Sequence, residues 1–179
     1  EDAADGRRVA MAIGPGGGRG GDIWILDLAT KASSKLTFDG SSDAPVWTSG
    51  GDEVLFRTAL PAGTEEFRQR PADGSREART IVQFADARAR GPVGYMADGS
   101  LLFWEDGGTG SAGNVLFLPP GQNGDQAQPF ASTAAIEIQP AISPDGRFVA
   151  YTVDSTGSPG VYVQPFPPTG AKWQVASGA

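Results

Sequence analysis

The chain of 179 residues contains no cysteine and no histidine. These absences exclude Cys nucleophiles, Ser-His nucleophile systems and His- or Cys-ligated zinc within the chain. They also leave no disulfide from which a redox compartment could be read. Positive charge is in deficit: 14 Lys and Arg stand against 21 Asp and Glu, a formal net charge of −7. Nucleic acids select basic surfaces, so DNA or RNA is not an expected partner; the acidic balance is first of all a solubility feature. No apolar run reaches the roughly 18 residues of a spanning helix, and direct membrane insertion is not expected. Glu1-Asp2-Ala3-Ala4-Asp5 is acidic and has no h-region, so no signal peptide is read there, although a processed or truncated chain would look the same. A helical period over about ten residues or more is also missing, which predicts very little helix.

Glycine and proline, by contrast, are abundant, at 26 and 14 residues. They suit many short strands joined by tight turns. The strands repeat. Asp5-Gly6-Arg7-Arg8-Val9-Ala10-Met11 returns as Asp145-Gly146-Arg147-Phe148-Val149-Ala150-Tyr151, with weaker copies at Gly51–Phe56 and Asp98–Phe103. The closing residues Met11, Phe56, Phe103 and Tyr151 are separated by 45, 47 and 48 residues. Pro45, Pro92 and Pro140 each precede such an ending by 11 residues. This is the period of four-stranded propeller blades. The expected fold is all-β: a β-propeller segment of about four four-stranded antiparallel blades, at 1–43, 44–90, 91–138 and 139–179 of a single partial domain.

Alternating apolar stretches place the strands. The first unit reads Arg8–Ile13, Asp22–Leu28 and Lys35–Phe38; the second Val46–Thr48, Glu53–Thr58, Glu66–Arg70 and Arg79–Phe84. The third reads Val93–Met96, Leu101–Glu105, Asn114–Leu118 and Ala127–Phe130; the fourth Ala141–Ser143, Arg147–Val153, Gly160–Pro165 and Trp173–Ala176. Asp-Gly and Gly-Gly between the first two strands of a unit supply the positive φ that a tight hairpin needs. Only Glu1–Ala4 precede the first Asp-Gly, so the innermost strand of that unit is expected to be short or missing. Trp24, Trp47, Trp104 and Trp173 are expected to pack between blades.

Ser143-Pro144-Asp145-Gly146-Arg147-Phe148-Val149-Ala150-Tyr151 resembles the signature of TolB-like, WD-like bacterial propeller repeats. Gly21–Leu28, Lys35-Leu36-Thr37-Phe38 and Pro45-Val46-Trp47-Thr48 look like further parts of the same repeat. The third unit departs from it, with Gly94 and Tyr95 where tryptophan and serine are usual. Val161–Pro167 with Lys172-Trp173-Gln174-Val175 is similar to the propellers that follow bacterial Ser/Thr protein kinase domains. That resemblance implies an extracytoplasmic or periplasmic sensor or scaffold. No kinase motif is present, so kinase activity does not carry over. The same repeats occur in the gating propellers of prolyl-oligopeptidase-type peptidases, the alternative reading, and fold alone does not choose between them.

Motifs that suggest chemistry have structural explanations. Gly16–Gly21 fits G-x-G-x-x-G, but a strand follows it where a dinucleotide site needs a helix; it reads as a hairpin loop. Asp154-Ser155-Thr156-Gly157 carries one residue too many for an aspartic-protease motif and has no second copy, so it reads as a capped turn. Glu105-Asp106 and Asp39/Asp43 are paired acids on expected loops, without the spacing of a Ca²⁺ site. No cofactor or metal is expected. Asp43, Arg57, Arg88, Arg90, Glu105, Glu137 and Asp154 fall at or near loops that could share one face, where a rigid scaffold concentrates recognition residues. The expected function is non-enzymatic binding of a protein or small ligand at that face. The chain reads as about four blades cut from a longer propeller; the alternative is a homodimer in which two copies close an eight-blade ring.

Overall fold

The structure is a computed structural model; it describes every residue except 1, 2, 4, 5, 15–19, 108–112, 155, 156 and 179. The glycine loop at 15–19, the pair Ser155-Thr156 and most of the segment preceding Gly6 therefore lie outside the described residues. Two compact units are present, Glu1–Ala87 and Arg88–Ala179. Each is built from two antiparallel meanders, in which every strand pairs with the next along the chain.

The first unit holds β1 (Arg8–Ile13), β2 (Asp22–Asp27) and β3 (Ser33–Lys35) in one sheet. Its second sheet is β4 (Ser42–Trp47), β5 (Glu53–Ala59), β6 (Glu65–Pro71) and β7 (Arg79–Gln83). The second unit holds β8 (Arg90–Tyr95), β9 (Leu101–Glu105), β10 (Asn114–Leu118) and β11 (Gln128–Ala131), then β12 (Ile136–Ile142), β13 (Phe148–Asp154), β14 (Gly160–Pro165) and β15 (Trp173–Ser177). Among the described residues the first sheet has three strands and the others four, and the one helical element is a 3₁₀ turn at Gly124–Gln126.

The sequence repeat becomes a repeated turn. The amides of Ala3, Thr48, Met96 and Ser143 donate across the hairpin to the carbonyls of Arg8, Glu53, Ser100 and Phe148. The amides of Gly6, Gly51, Gly99 and Gly146 donate back to those same four residues. All four glycines have positive φ, between 62° and 85°, a region that costs other L-residues energy. The third turn is one residue shorter than the others, and this is the unit whose sequence departs from the repeat.

The expected second, third and fourth strands match closely, but the first strand of each four-stranded sheet begins earlier than the apolar pattern suggests. β4, β8 and β12 start on Ser42, Arg90 and Ile136, ahead of the expected Val46, Val93 and Ala141. A bulge interrupts each of them beside its proline: the register shifts between Asp43 and Val46, Pro92 and Gly94, and Ile138 and Ala141. Ala44 and Gln139 reach positive φ immediately before Pro45 and Pro140. Proline lacks the N–H that a ladder needs, so it sits in a bulge, and the polar residues before it conceal a continuing strand. β3 is the exception among the later strands: it covers Ser33–Lys35 and shares only Lys35 with the expected Lys35–Phe38. Leu36 turns into the core, its amide and that of Thr37 both donate to Ile23 O, and the Thr37 hydroxyl accepts from the Ile23 amide at 2.8 Å.

Each unit has its own apolar core. In the first, Ala10, Ile23, Ile25 and Leu36 pack with Trp47, Val54 and Phe56. In the second, Leu102, Val115, Phe117 and Phe130 pack with Val149, Tyr151 and Phe166. Trp47 is buried as expected, and Trp24 and Trp104 are half-buried. Trp173 is 51% exposed, contrary to expectation. It pairs with Val163 on the outermost strand and so shares Val163's face, opposite the one that carries Tyr151 into the core.

Candidate functional site

Six of the seven candidate residues lie within strands, and only Arg88 lies on a connection. Asp43, Arg90 and Glu137 occupy the opening turns of ladder in β4, β8 and β12; Arg57, Glu105 and Asp154 occupy the closing residues of β5, β9 and β13. Asp43 is thus a strand residue and not a loop residue, because the bulged β4 reaches further than its apolar core, and Glu105 is the last residue of β9, as the expected strand Leu101–Glu105 has it. The meander brings these two ends together, so the candidates gather at one end of each strand pair, opposite the Asp-Gly turn.

In the first unit Asp43 faces Arg57 across the ladder. Arg57 Nε donates to Asp43 Oδ1 at 2.7 Å, its second fork nitrogen bonds Asp43 Oδ2, and its third reaches Glu65 Oε1 at 3.1 Å. The Arg57 side chain is 5% exposed and Asp43 18%. The Gly20 amide also donates to Asp43. Beside this cluster Ser42 bonds Thr58 and Asp39. Fork-to-carboxylate pairing of this kind is the strongest geometry available to a guanidinium.

The second unit repeats the arrangement with the charges exchanged. Arg90 now stands on the first strand and Glu105 faces it from the second. Arg90 donates to Glu105 Oε2 through Nε at 2.8 Å, and Arg88 donates to Oε1 at 2.6 Å. Arg90 and Glu105 are buried, whereas Arg88 is 55% exposed. Gly91, next to Arg90, lies under the Trp104 indole, where an added Cβ would come within 2.3 Å of Nε1. This close approach is the reason that a side chain is missing there. Glu137 is fully buried and accepts from the Thr133 hydroxyl at 2.5 Å and from the Thr133 amide. Asp154 accepts from the Gly157 amide at 2.7 Å, a capped turn.

Glu65 and Thr133 are missed by reasoning from sequence. Glu65 is legible in retrospect: Glu65, Phe67 and Gln69 alternate on the buried face of β6, which carries the acid to Arg57. Thr133 has no signal, since its role depends on a loop folding back onto β12. Among the described residues no group of three or more acids could hold a metal ion, and the carboxylates of Asp43 and Glu105 are taken up by arginine. A separate cavity of about 210 Å³ lies in the first unit, lined by Thr37, Phe38, Asp39, Arg68, Arg70 and Glu77. Arg70 donates there to the carbonyls of Leu36 and Arg76, and Arg68 to that of Ala78. The arrangement as a whole contains buried, satisfied ion pairs with one prominent exposed cation. Such a site can recognise charge and shape.

Sequential antiparallel meanders repeating about every 47 residues, each closed by the same glycine turn, define a β-propeller segment. No family model matches the chain. It is 28% identical over 156 residues to a "Protein TolB homolog" of Chlorobaculum tepidum, covering 87% of the chain and 32% of that relative. A structure described as a putative TolB from Agrobacterium tumefaciens superposes with a TM-score of 0.75 at 16% identity, over 98% of this chain and 63% of that one. TolB from Acinetobacter baumannii superposes with a TM-score of 0.72 at 20% identity, over 96% of this chain and 41% of that one. The chain is a β-propeller segment similar to TolB proteins, and it spans about a third of the length of the curated relative it matches.

Proposed function

We propose that the chain is a non-enzymatic binding module of a bacterial envelope protein, the sensor or scaffold part of a kinase-associated or TolB-like parent, working outside the cytoplasm. Its partner is a protein or small ligand taken up at the strand ends that carry Asp43, Arg57, Arg88, Arg90, Glu105, Glu137 and Asp154. The observation that supports this most is the recurrence of charged side chains at the same end of successive strand pairs. Buried pairs there hold the strands rigidly, and Arg88 stands out from Glu105 toward solvent. Rigid presentation lowers the ordering cost of binding. The location rests on the resemblance to TolB-like and kinase-associated repeats. Self-association of two copies belongs to the same reading.

A photo-crosslinker placed at position 88 tests the binding face, with position 98 in the opposite turn as control. Asp98 is exposed in the same unit. The expected outcome is a specific envelope adduct from position 88 that is absent from position 98 and is competed away by excess unlabelled chain. Equal labelling from both positions would overturn the assignment of this face. Determining the parent reading frame separates the sensor from the peptidase gate: an upstream kinase domain supports the first, a downstream Gly-x-Ser-x-Gly hydrolase the second.

A further inference from the structure

Strand β6 alternates along its length. Glu65, Phe67 and Gln69 are buried, whereas Glu66, Arg68 and Arg70 lie half-buried on the other face. Ladder pairing sets Arg68 opposite Phe56 and Arg70 opposite Val54. These arginines therefore extend the face that packs Val54 and Phe56 against the first sheet. Arg57 stands opposite Phe67 and belongs to the reverse face. The cavity of about 210 Å³ is thus a different place from the Asp43–Arg57–Glu65 cluster. Arg68 and Arg70 form one wall, Glu77 and Ala78 before β7 a second, and Phe38 and Asp39 after β3 a third. It is smaller than the roughly 300–1,000 Å³ clefts of drug-sized ligands, which suits a molecule of amino-acid size.

The lining carries both signs of charge, and one group of each sign is uncommitted. Arg70 is used in building the wall, donating to the carbonyls of Arg76, Leu36 and Gly74. Arg68 is not so used. Its Nη2 donates to Ala78 O at 3.2 Å, but Nη1 stands 3.9 Å from Asp39 Oδ2 and Nε 3.5 Å from Glu66 Oε1. Nε is the one buried side-chain nitrogen or oxygen among the described residues without a hydrogen-bond partner. A guanidinium so short of acceptors is poised for a carboxylate. Asp39 is held by the Ser41 amide and the Ser42 hydroxyl. Glu77 is exposed and has neither hydrogen bond nor ion pair among the described residues. Phe38, at 72%, is the most exposed large hydrophobic side chain among the described residues. Lys35 Nζ sits 5.2 Å from the Phe38 ring centroid and is committed to Asp22 at 2.7 Å.

We propose that this cavity binds a small zwitterion, an α-amino acid with an apolar side chain. Arg68 takes the carboxylate, Glu77 the ammonium, and Phe38 packs against the side chain. A simple anion is repelled by Asp39 and Glu77, and a simple cation by Arg68 and Arg70; such repulsion selects as effectively as attraction. A ligand with both charges and an apolar group satisfies all three uncommitted groups at once. The site is independent of partner binding at the strand ends.

NMR titration of the isotope-labelled chain with L-phenylalanine, followed at the Phe38, Asp39 and Ala78 amides, tests the proposal. Saturable shifts confined to residues around the cavity are expected. N-acetyl-L-phenylalanine lacks the ammonium and L-phenylalaninamide lacks the carboxylate. Each is expected to bind roughly tenfold more weakly or worse, the scale of one hydrogen bond to a charged group. Glu77→Gln, at an exposed position without a partner, should erase the preference over N-acetyl-L-phenylalanine and keep that over the amide. Arg68→Gln should do the reverse. If Arg68→Gln fails to fold, Glu77→Gln with the three compounds decides the matter. Absence of saturable shifts at these amides, equal binding of the three compounds, or a preference over N-acetyl-L-phenylalanine that survives Glu77→Gln overturns the proposal.

Discussion

Asp145 shows how much of a turn one carboxylate can organise. It accepts from the Ser143 hydroxyl at 2.6 Å, from Arg147 Nε at 2.8 Å and from the Arg147 amide. The Ser143 bond, followed by those from Arg147, lowers its pKa from 3.8 to about 2. Each bond favours the charged form. Because the folded value lies below the ordinary one, the carboxylate's contribution is in place above pH 3.8 and is lost as pH falls through about 2. A carboxyl carbon NMR titration should place the Asp145 midpoint near 2, and Ser143→Ala should move it upward. A midpoint that stays put in that variant would contradict the Ser143 hydroxyl as the main cause. The Asp-Gly motif was legible in the sequence; the Ser143 and Arg147 bonds that lower this group were not, since Asp98 in the equivalent turn bonds Ser100 instead.

At the scale of strands, the Asp43–Arg57–Glu65 cluster ties together the first three strands of its sheet. Arg57 and Glu65 are both nearly fully buried. Removing the cation leaves two carboxylates without their partner in a poorly hydrated position. Arg57→Ala should therefore destabilise the chain by about 3–5 kcal/mol, the usual cost of breaking a buried pair from one side. Urea unfolding checks this. Replacing Asp43, Arg57 and Glu65 together by apolar residues of similar volume should recover much of the loss, as whole buried ion clusters often tolerate such exchange. A triple variant no more stable than Arg57→Ala would mean that packing, not charge, dominates this strand end. Reading the strands from their apolar alternation located β5, β9, β10 and β14 almost to the residue. It shortened β4, β8 and β12, because a bulge with proline breaks the two-residue period on which that reading relies.

For the molecule as a whole, the net charge of −7 opposes the counterion-release mechanism by which proteins hold phosphate backbones. The arginines among the candidate residues already have acidic partners: Arg57 pairs with two acids, and Arg90 shares Glu105 with Arg88, one negative charge against two positive ones. The chain should show no mobility shift with duplex DNA at physiological salt, and lowering the salt should not create one. A salt-sensitive complex would show instead that these arginines are free to leave their internal pairs for phosphate. The same pairing leaves Arg88, half-exposed beside a buried pair, as the charged group through which this face can discriminate among partners.

Periodicity, composition and turn chemistry determined the all-β architecture, the blade repeat and the four glycine turns, since these are local properties: hairpins need positive φ at one residue, and strands need alternation over a few. They also excluded His- and Cys-based chemistry outright. Only the tertiary structure decided which charges meet. Asp43 and Arg57 are 14 residues apart, and Arg90 and Glu105 are 15 apart, and their pairing follows from register across a bulged ladder, which no single strand specifies. Burial of Glu137 and exposure of Trp173 were decided in the same way. Which face of a strand is covered depends on what packs against the sheet, and that contact comes from residues remote in the chain.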